Sequence, residues 1–317
     1  MTDTSPTSPL SWLTPEQSAS LQRRRKAKEF LARGTIMLGG VGVIGAIALI
    51  FFYLVWEVMP LFKPSSIEDR GSYSLPLAGN GDDGATRYLA IEEQNEVGLR
   101  FGAAGNLVFF DATTGAVAGS SRLAHADQAA MTVLAAAGGD HLAAGFADGR
   151  AVLVHPTYTV SYPDNVKTVS AAAEYPFGET PVTLFTDGTP VVQLAALAGD
   201  EGFTLVGRAA DGRTALVQYE QTENMMTGDT ELSESVRREF RIEGDVQALH
   251  IDGDGRFVFA PLAGGQVRAY DLNTEVPLVT EVQLPAGHRV TASALLLGRI
   301  SLLVGDDHGT ITQLFMV

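Results

Sequence analysis

The chain has 317 residues, of which 45% are hydrophobic and 19% charged, and it contains no cysteine. This composition argues against a disordered chain and excludes a disulfide scaffold and a thiolate metal site. The formal net charge of −15 is unevenly distributed: residues 1–63 carry a net charge of +3, which leaves −18 for the remainder. An acidic domain repels polyanions, so we expect no nucleic acid partner.

Residues 1–33 are expected to form a tail with a basic helix. Residues 1–11 are rich in Ser, Thr and Pro, which is typical of disorder. Thr14-Pro15-Glu16-Gln17 has the pattern of a capping box with proline at the first helical position, so it predicts a helix start. The basic residues of this helix would meet anionic lipid headgroups or serve only as a topology signal.

Residues 34–59 are predicted to form a transmembrane helix. From Thr35 to Trp56 the chain runs for about 22 residues without a charge, enough to cross the hydrocarbon core as a helix. A secretory signal peptide has a shorter apolar region and a cleavage site of small residues, whereas Glu57, Pro60 and Phe62 follow here. The pattern therefore predicts an uncleaved anchor.

The charges beside this span predict its orientation. Only Lys63 lies closely behind the span, whereas six basic residues precede it: Arg23, Arg24, Arg25, Lys26, Lys28 and Arg33. By the positive-inside rule the N-terminus is cytoplasmic and everything after Pro60 is outside. We therefore expect the main domain to lie on the opposite side of the membrane from the cytoplasmic N-terminus.

Gly40-Val41-Gly42-Val43-Ile44-Gly45 matches the dinucleotide-binding pattern G-x-G-x-x-G inside the span. No strand precedes it and no βαβ unit surrounds it, so this interpretation is rejected. Small residues such as Gly42 and Ala46 allow a second helix to approach closely. The motif favours packing against other transmembrane helices.

After a linker at residues 60–72, residues 73–317 are predicted to form an all-β, β-propeller-like domain. Five segments read as apolar hairpins around a glycine turn: residues 98–115, 141–155, 203–219, 256–271 and 300–315. Their turn glycines can adopt the positive φ that tight turns require: Gly105, Gly149, Gly212, Gly265 and Gly309. Spacings of 44, 63, 53 and 44 residues are near the length of a four-stranded propeller blade.

Three details complete this prediction. Asp111 and Asp271 resemble the aspartate that ends a strand in WD-like blades. The only helical pattern in the domain lies at residues 231–240. The chain ends in the apolar sequence QLFMV, so either strands near residues 73–91 close the ring or the chain belongs to a longer protein.

The motif search predicts no catalytic, cofactor-binding or metal-binding residues and no enzymatic activity. Neither a nucleophile elbow nor a P-loop occurs, and the six histidines lack the spacing of a zinc-binding helix. Asp252-Gly253-Asp254-Gly255 lacks the further ligands of a calcium loop and predicts a plain turn. Asp306-Asp307-His308-Gly309 could bind a cation, but a hairpin turn requires such residues anyway.

Two segments resemble a known family. Residues 23–62, RRRKAKEFLARGTIMLGGVGVIGAIALIFFYLVWEVMPLF, resemble the first transmembrane helix of the large permease subunit of the bacterial phosphate-specific ABC transporter. The resemblance is to the form with a large periplasmic insertion. Residues 301–315, SLLVGDDHGTITQLF, are similar to a stretch of that insertion. The resemblance implies a component of phosphate import that works with a partner permease, an ATPase and a phosphate-binding protein. It also implies a location in the bacterial inner membrane, with the N-terminus in the cytoplasm and the main domain in the periplasm.

The resemblance covers only the anchor and the insertion of that family. After Phe62 no uncharged apolar run approaches the length of another span, so the translocation core has no counterpart and none of its residues is carried over. The alternative is a single-span periplasmic propeller scaffold for protein–protein interaction or envelope assembly. A quinoprotein-like enzyme is the weakest hypothesis, because both tryptophans, Trp12 and Trp56, lie outside the domain.

Overall fold

The computed structural model describes residues 15–62, 72–75, 84–165, 167–223, 230–275 and 278–316. Its contacts divide the chain into two compact units, Met1–Gly71 and Ser72–Val317. The first unit is helical and the second is built from antiparallel β-strands.

The first unit contains one long helix, α1 (Pro15–Val58), of 44 residues. The helix begins at the proline that the sequence places in its first turn, where the missing N–H costs nothing. A short 3₁₀ turn, Met59–Phe62, follows it. The stretch Lys28–Phe62 is long and apolar enough to cross a membrane, and none of it is buried against protein.

The glycines of the rejected nucleotide motif lie inside α1 and not after a strand. A Cβ atom built at Gly40, Gly42 or Gly45 meets no heavy atom within 4 Å among the described residues. This part of the helix surface has room for a second helix, and such packing stays a prediction.

The described residues of the second unit form five antiparallel sheets in which the strand order follows the chain. Sheet 1 comprises β1 (Thr86–Ile91), β2 (Val97–Gly102), β3 (Asn106–Asp111) and β4 (Val117–Arg122). Sheet 2 comprises β5 (Met131–Ala136), β6 (Leu142–Phe146), β7 (Arg150–Ser161) and β8 (Thr168–Glu174), with β9 (Val182–Thr183) paired to β7.

Sheet 3 comprises β10 (Gln193–Gly199), β11 (Gly202–Arg208), β12 (Arg213–Glu223) and β13 (Thr230–Arg241). Sheet 4 comprises β14 (His250–Ile251), β15 (Phe257–Pro261), β16 (Gln266–Asp271) and β17 (Leu278–Gln283). Sheet 5 comprises β18 (Val290–Leu295), β19 (Ser301–Asp306) and β20 (Ile311–Phe315). Sheet 5 therefore has three strands among the described residues, whereas the other sheets have at least four.

All five predicted hairpins are present, each joining the second and third strands of one sheet. Their turns share a hydrogen bond from the glycine N–H to the carbonyl three residues earlier. The glycines have φ of +83°, +80°, +86°, +88° and +78° at positions 105, 149, 212, 265 and 309. Residues with a Cβ atom avoid this left-handed region, so the glycines themselves are sufficient to place these turns.

Consecutive sheets pack face to face through four buried clusters. Representative residues are Phe109 with Phe146 between sheets 1 and 2, and Leu153 with Leu205 between sheets 2 and 3. The next two interfaces are represented by Val206 with Ile251 and by Phe259 with Val304. Successive four-stranded meanders packed in this way define a β-propeller, which confirms the all-β prediction. Among the described residues no cluster joins sheet 5 to sheet 1.

The prediction of a helix at residues 231–240 is wrong, because these residues form most of β13. Val236, Arg238 and Phe240 alternate with more exposed residues, which is the period of a strand. β13 pairs with β12 along its length, and Val236 and Phe240 pack against the cluster between sheets 3 and 4. Cross-strand pairing and packing therefore outweigh the weak local helical preference.

Residues 73–91, the segment predicted to close the ring, belong to sheet 1 in the part that the structure describes. β1 pairs with β2. Tyr73 stacks edge-on against Phe110, and its hydroxyl donates to the Ala112 carbonyl oxygen at 3.0 Å. These contacts add to the first sheet, and β20 is the outer strand of sheet 5 within the ranges that the structure describes.

Candidate functional site

A cavity of about 640 Å³ lies where the first strands of sheets 2 to 5 face one another. Alanine, valine and leucine side chains form most of its wall, and the polar groups in the wall are Gln193, Gln247, His250, Ser293 and Arg299. A mostly apolar cavity with a few convergent polar groups is the usual form of a small-molecule site. In this fold it is the space between the innermost strands.

His250 is the ionisable imidazole in the wall of this cavity. Its Nε2 atom lies 2.8 Å from Ser293 Oγ, across from sheet 4 to sheet 5. Burial and, to a smaller degree, the charge of Arg299 lower the pKa of His250 to about 4. The imidazole is therefore neutral at neutral pH, with one nitrogen that donates and one that accepts.

Arg299 occupies the turn between β18 and β19 and joins three sheets at one end of the cavity. Its Nε donates to the Ile251 carbonyl oxygen at 3.1 Å, and its Nη2 donates to the carbonyl oxygens of Ile251 at 2.9 Å and Ala196 at 3.1 Å. Burial lowers the pKa of this guanidinium from its usual value. Since these hydrogen bonds go to the backbone, they give Arg299 a structural role.

The open face of sheet 5, defined by Leu303, Ile311, Gln313 and Phe315, is the second feature of interest. Along β20, Thr312 and Leu314 point towards sheet 4, and Leu314 packs on the cluster there. The alternate residues face the other way, and Ile311 and Phe315 are 71% and 62% exposed. Two large apolar side chains thus lie beside a strand edge that no described residue pairs with, and β20 carries neither a charge nor a proline.

Histidine–aspartate contacts hold the hairpin turns of two sheets. His125 Nε2 lies 2.6 Å from Asp148 Oδ2 in sheet 2, and His288 Nδ1 lies 2.6 Å from Asp306 Oδ2 in sheet 5. The hydrogen bond from His288, with backbone N–H bonds from Thr310 and His308, lowers the pKa of Asp306 to about 2. Each contact ties the segment before the first strand of a sheet to the turn between its second and third strands.

The structure also stacks two pairs of histidines that sequence reasoning treated as scattered. The rings of His141 and His155 are 4.3 Å apart, and those of His288 and His308 are 4.0 Å apart. Burial, followed by the proximity of His155, lowers the pKa of His141. No sequence spacing announces either pair, because strand pairing brings residues 14 and 20 positions apart together.

The aspartates that the sequence singled out lie at strand ends and turns. Asp111 ends β3, and hydrogen bonds from the Thr114 hydroxyl and from the N–H groups of Thr114 and Thr113 lower the pKa of its carboxyl. Asp271 ends β16 and pairs with Arg256 at 3.1 Å. Both therefore hold the start of the following turn.

Asp252 belongs to a turn between β14 and β15, at the position of the rejected calcium loop. Its Oδ1 accepts the N–H groups of Arg256 at 2.8 Å and Phe257 at 2.9 Å. Burial raises its pKa, an effect that these hydrogen bonds partly oppose. The carboxylate thus closes a local turn.

The topology defines the class: this is a β-propeller protein with one N-terminal helix long and apolar enough to cross a membrane. Among solved structures, the chain is similar to the β-propeller domain of Cps50 (Swd1) from Myceliophteria thermophila, with 14% identity and a TM-score of 0.41 over 73% of this chain and 66% of that one. It is also similar to BamB from Moraxella catarrhalis, with 15% identity and a TM-score of 0.41 over 77% of this chain and 62% of that one.

These likenesses concern the fold alone. The chain spans less than two thirds of the length of either structure. No family model and no curated protein matches the sequence. The resemblance of residues 23–62 and 301–315 to a phosphate permease therefore stays a prediction.

Proposed function

We propose that this chain is a membrane-anchored β-propeller scaffold that binds protein partners and catalyses no reaction. Its N-terminal helix would hold the propeller at a membrane, and the propeller would present the open face of sheet 5 to a partner. The helix supports this proposal because the stretch Lys28–Phe62 is apolar and has no protein burial. Lipid is the natural environment for such a surface.

The observation that carries the proposal is the edge of β20, which pairs with no strand in the described part of the chain and lies beside exposed Ile311 and Phe315. Natural proteins usually protect a sheet edge with charges, proline or a covering segment. Extended segments of partner proteins bind such edges by adding a strand, and side chains on alternate positions provide specificity. Sheet 5, with three strands among the residues that the structure describes, would accept a fourth strand of this kind beside β20.

The basic residues before the span support a cytoplasmic N-terminus with the propeller on the other side of the membrane. We propose that this membrane is the bacterial inner membrane, which places the propeller in the periplasm. Partners would then be periplasmic proteins or the periplasmic parts of membrane proteins. The negative charge of the propeller would disfavour acidic partners through electrostatic repulsion.

Site-specific photo-crosslinking in membranes tests this proposal on the full chain. A photoreactive phenylalanine analogue replaces Phe315 in one variant and Leu278 in another. Leu278 is the matched control because it is 48% exposed on β17, the outer strand of sheet 4, which is four-stranded. We expect a discrete adduct with a single protein from position 315 and none from position 278.

A second substitution separates specific binding from surface stickiness. Ile311→Lys places a charge on the open face, on the same side of β20 as Phe315. Because a partner would have to bury this charge, the substitution should remove the adduct formed at position 315. Circular dichroism checks that this variant remains folded. Equal adducts from positions 315 and 278, or an adduct that survives Ile311→Lys, would contradict the proposal.

A further inference from the structure

The turn of sheet 5 differs from that of sheet 2 at one informative position. In both turns the glycine N–H bonds to the carbonyl three residues earlier, from Gly149 to Phe146 at 3.3 Å and from Gly309 to Asp306 at 3.2 Å. The residue before the glycine is Asp148 in sheet 2, where it pairs with His125. In sheet 5 that position holds His308, so an imidazole stands where the other turn has a carboxylate.

His308 lies directly against the histidine that precedes β18. The rings of His288 and His308 are stacked with centroids 4.0 Å apart and planes inclined by 18°. The potential metal-binding atoms of His288, Asp306 and His308 all lie within 4.8 Å of one another. Among the described residues, this is the one group of three histidine or carboxylate side chains whose potential ligand atoms lie so close together.

Carboxylates already hold one nitrogen of each imidazole. Asp306 Oδ2 lies 2.6 Å from His288 Nδ1, and Asp307 Oδ1 lies 3.0 Å from His308 Nδ1. Asp307 in this position fixes the ring of His308 and leaves its Nε2 atom with a lone pair, whereas an ion bound by both His288 and Asp306 would replace the proton that Nδ1 and Oδ2 share. This pairing of an imidazole with a supporting carboxylate is the usual surrounding of metal-bound histidine.

The backbone fixes the two carboxylates in turn. Asp306 Oδ1 accepts the N–H groups of His308 at 3.0 Å and Thr310 at 2.8 Å. Asp307 Oδ1 accepts the N–H of Arg289 at 2.9 Å. The turn and the segment before β18 thus hold Asp306 and Asp307 in place before any ion binds, which reduces the entropic cost of binding.

We propose that His288, Asp306 and His308 bind a divalent transition metal ion, with Zn²⁺ as the ion to test. Two imidazoles with one carboxylate suit Zn²⁺, Cu²⁺ or Ni²⁺, whereas Ca²⁺ and Mg²⁺ prefer oxygen ligands. The His308 side chain is 56% exposed, so it can turn to form bonds of about 2.0–2.1 Å while water fills the remaining positions. Asp307 supports His308 in this site.

Metal binding at this site would also change the rigidity of sheet 5, the sheet that carries the open face. An ion held by His288 and His308 links the segment before β18 to the turn between β19 and β20. Because an ion that binds only the folded state stabilises it, Zn²⁺ would make this sheet more rigid. This consequence concerns sheet 5 alone and does not depend on whether the open face binds a partner.

Zinc binding is measured on the full chain in detergent, purified without a polyhistidine tag, by competition with a coloured chelator. We expect a single ion per chain and no competition by Ca²⁺. His308→Ala should abolish binding, and Asp307→Asn should weaken it by about 10- to 100-fold, the usual effect of losing a supporting carboxylate. Hydrogen exchange should show Zn²⁺-dependent protection of residues 288–310 in the wild type and not in His308→Ala.

His141→Ala is the matched control, because His141 belongs to the other stacked pair, which lies outside the three-donor group. This variant should bind Zn²⁺ as the wild type does. His308 is exposed, so its loss leaves the fold intact, which circular dichroism verifies. Unchanged affinity in His308→Ala, an equal loss in His141→Ala, or no competition with the chelator would overturn the proposal and leave His308 as a turn residue only.

Discussion

Lowering the pH should destabilise the propeller through His250. Burial and Arg299 depress the pKa of this imidazole from 6.5 to about 4. Between these values the unfolded chain binds a proton that the folded chain does not. The contribution of His250 to stability is therefore fully present above pH 6.5 and is lost as the pH falls towards 4. The fall in the pKa of His250 from 6.5 to about 4, at about 1.4 kcal/mol per pKa unit, corresponds to about 3 kcal/mol of unfolding free energy.

The assay is denaturant unfolding of the full chain in detergent at several pH values. Both tryptophans, Trp12 and Trp56, precede the propeller, so the near-ultraviolet circular dichroism of tyrosine is the better probe. His250→Gln should reduce the slope of the unfolding free energy against pH between 6.5 and 4, by at most about 1.4 kcal/mol per pH unit.

Ser293→Ala is the control for this experiment. It removes the hydroxyl 2.8 Å from His250 Nε2 but keeps the imidazole, its burial and Arg299. It should lower stability while keeping the pH slope. An identical slope in the wild type and in His250→Gln would refute the reasoning, because the linked proton would then belong to another group.

Two further predictions concern the core and the turns. Leu205→Ala should lower the unfolding free energy by about 2–5 kcal/mol in denaturant titrations, since Leu205 is fully buried between sheets 2 and 3; Leu278→Ala at an exposed site should change it by less than about 0.5 kcal/mol. Gly149→Ala should cost clearly more than Gly178→Ala in the same assay. Both glycines have positive φ, which costs alanine about 1–2 kcal/mol, but only at Gly149 would the new Cβ lie 2.7 Å from the Phe185 carbonyl oxygen. Equal losses at the two glycines would show that this turn relaxes.

The hairpins were predictable because their causes are local. Glycines such as Gly105 and Gly309 permit the turn, and the apolar strands on either side pair with their immediate neighbours along the chain. The helix predicted at residues 231–240 fails for the opposite reason. These residues gain more from pairing with β12, the strand that precedes them in the chain, than from local helical contacts.

The residues of the proposed metal site show where sequence reasoning stops. Asp306, Asp307 and His308 are adjacent, and the sequence favoured a hairpin turn over a cation site there. The second imidazole, His288, is 20 positions away from His308 and joins them because β18 pairs with β19. The register of the strands decides that contact, and no motif of fixed spacing encodes it.

The sequence by itself determined the apolar N-terminal helix, the repeated hairpins and the all-β class, because length, hydropathy and glycine turns act over short stretches of chain. Tertiary structure decided which surfaces are covered. Sheets 1 to 5 bury apolar faces against their neighbours, while Ile311 and Phe315 of sheet 5 stay exposed. In the sequence, a strand with a buried apolar face and a strand with an exposed one show the same alternation of residues. Burial depends on the sheet that packs opposite and not on the strand itself.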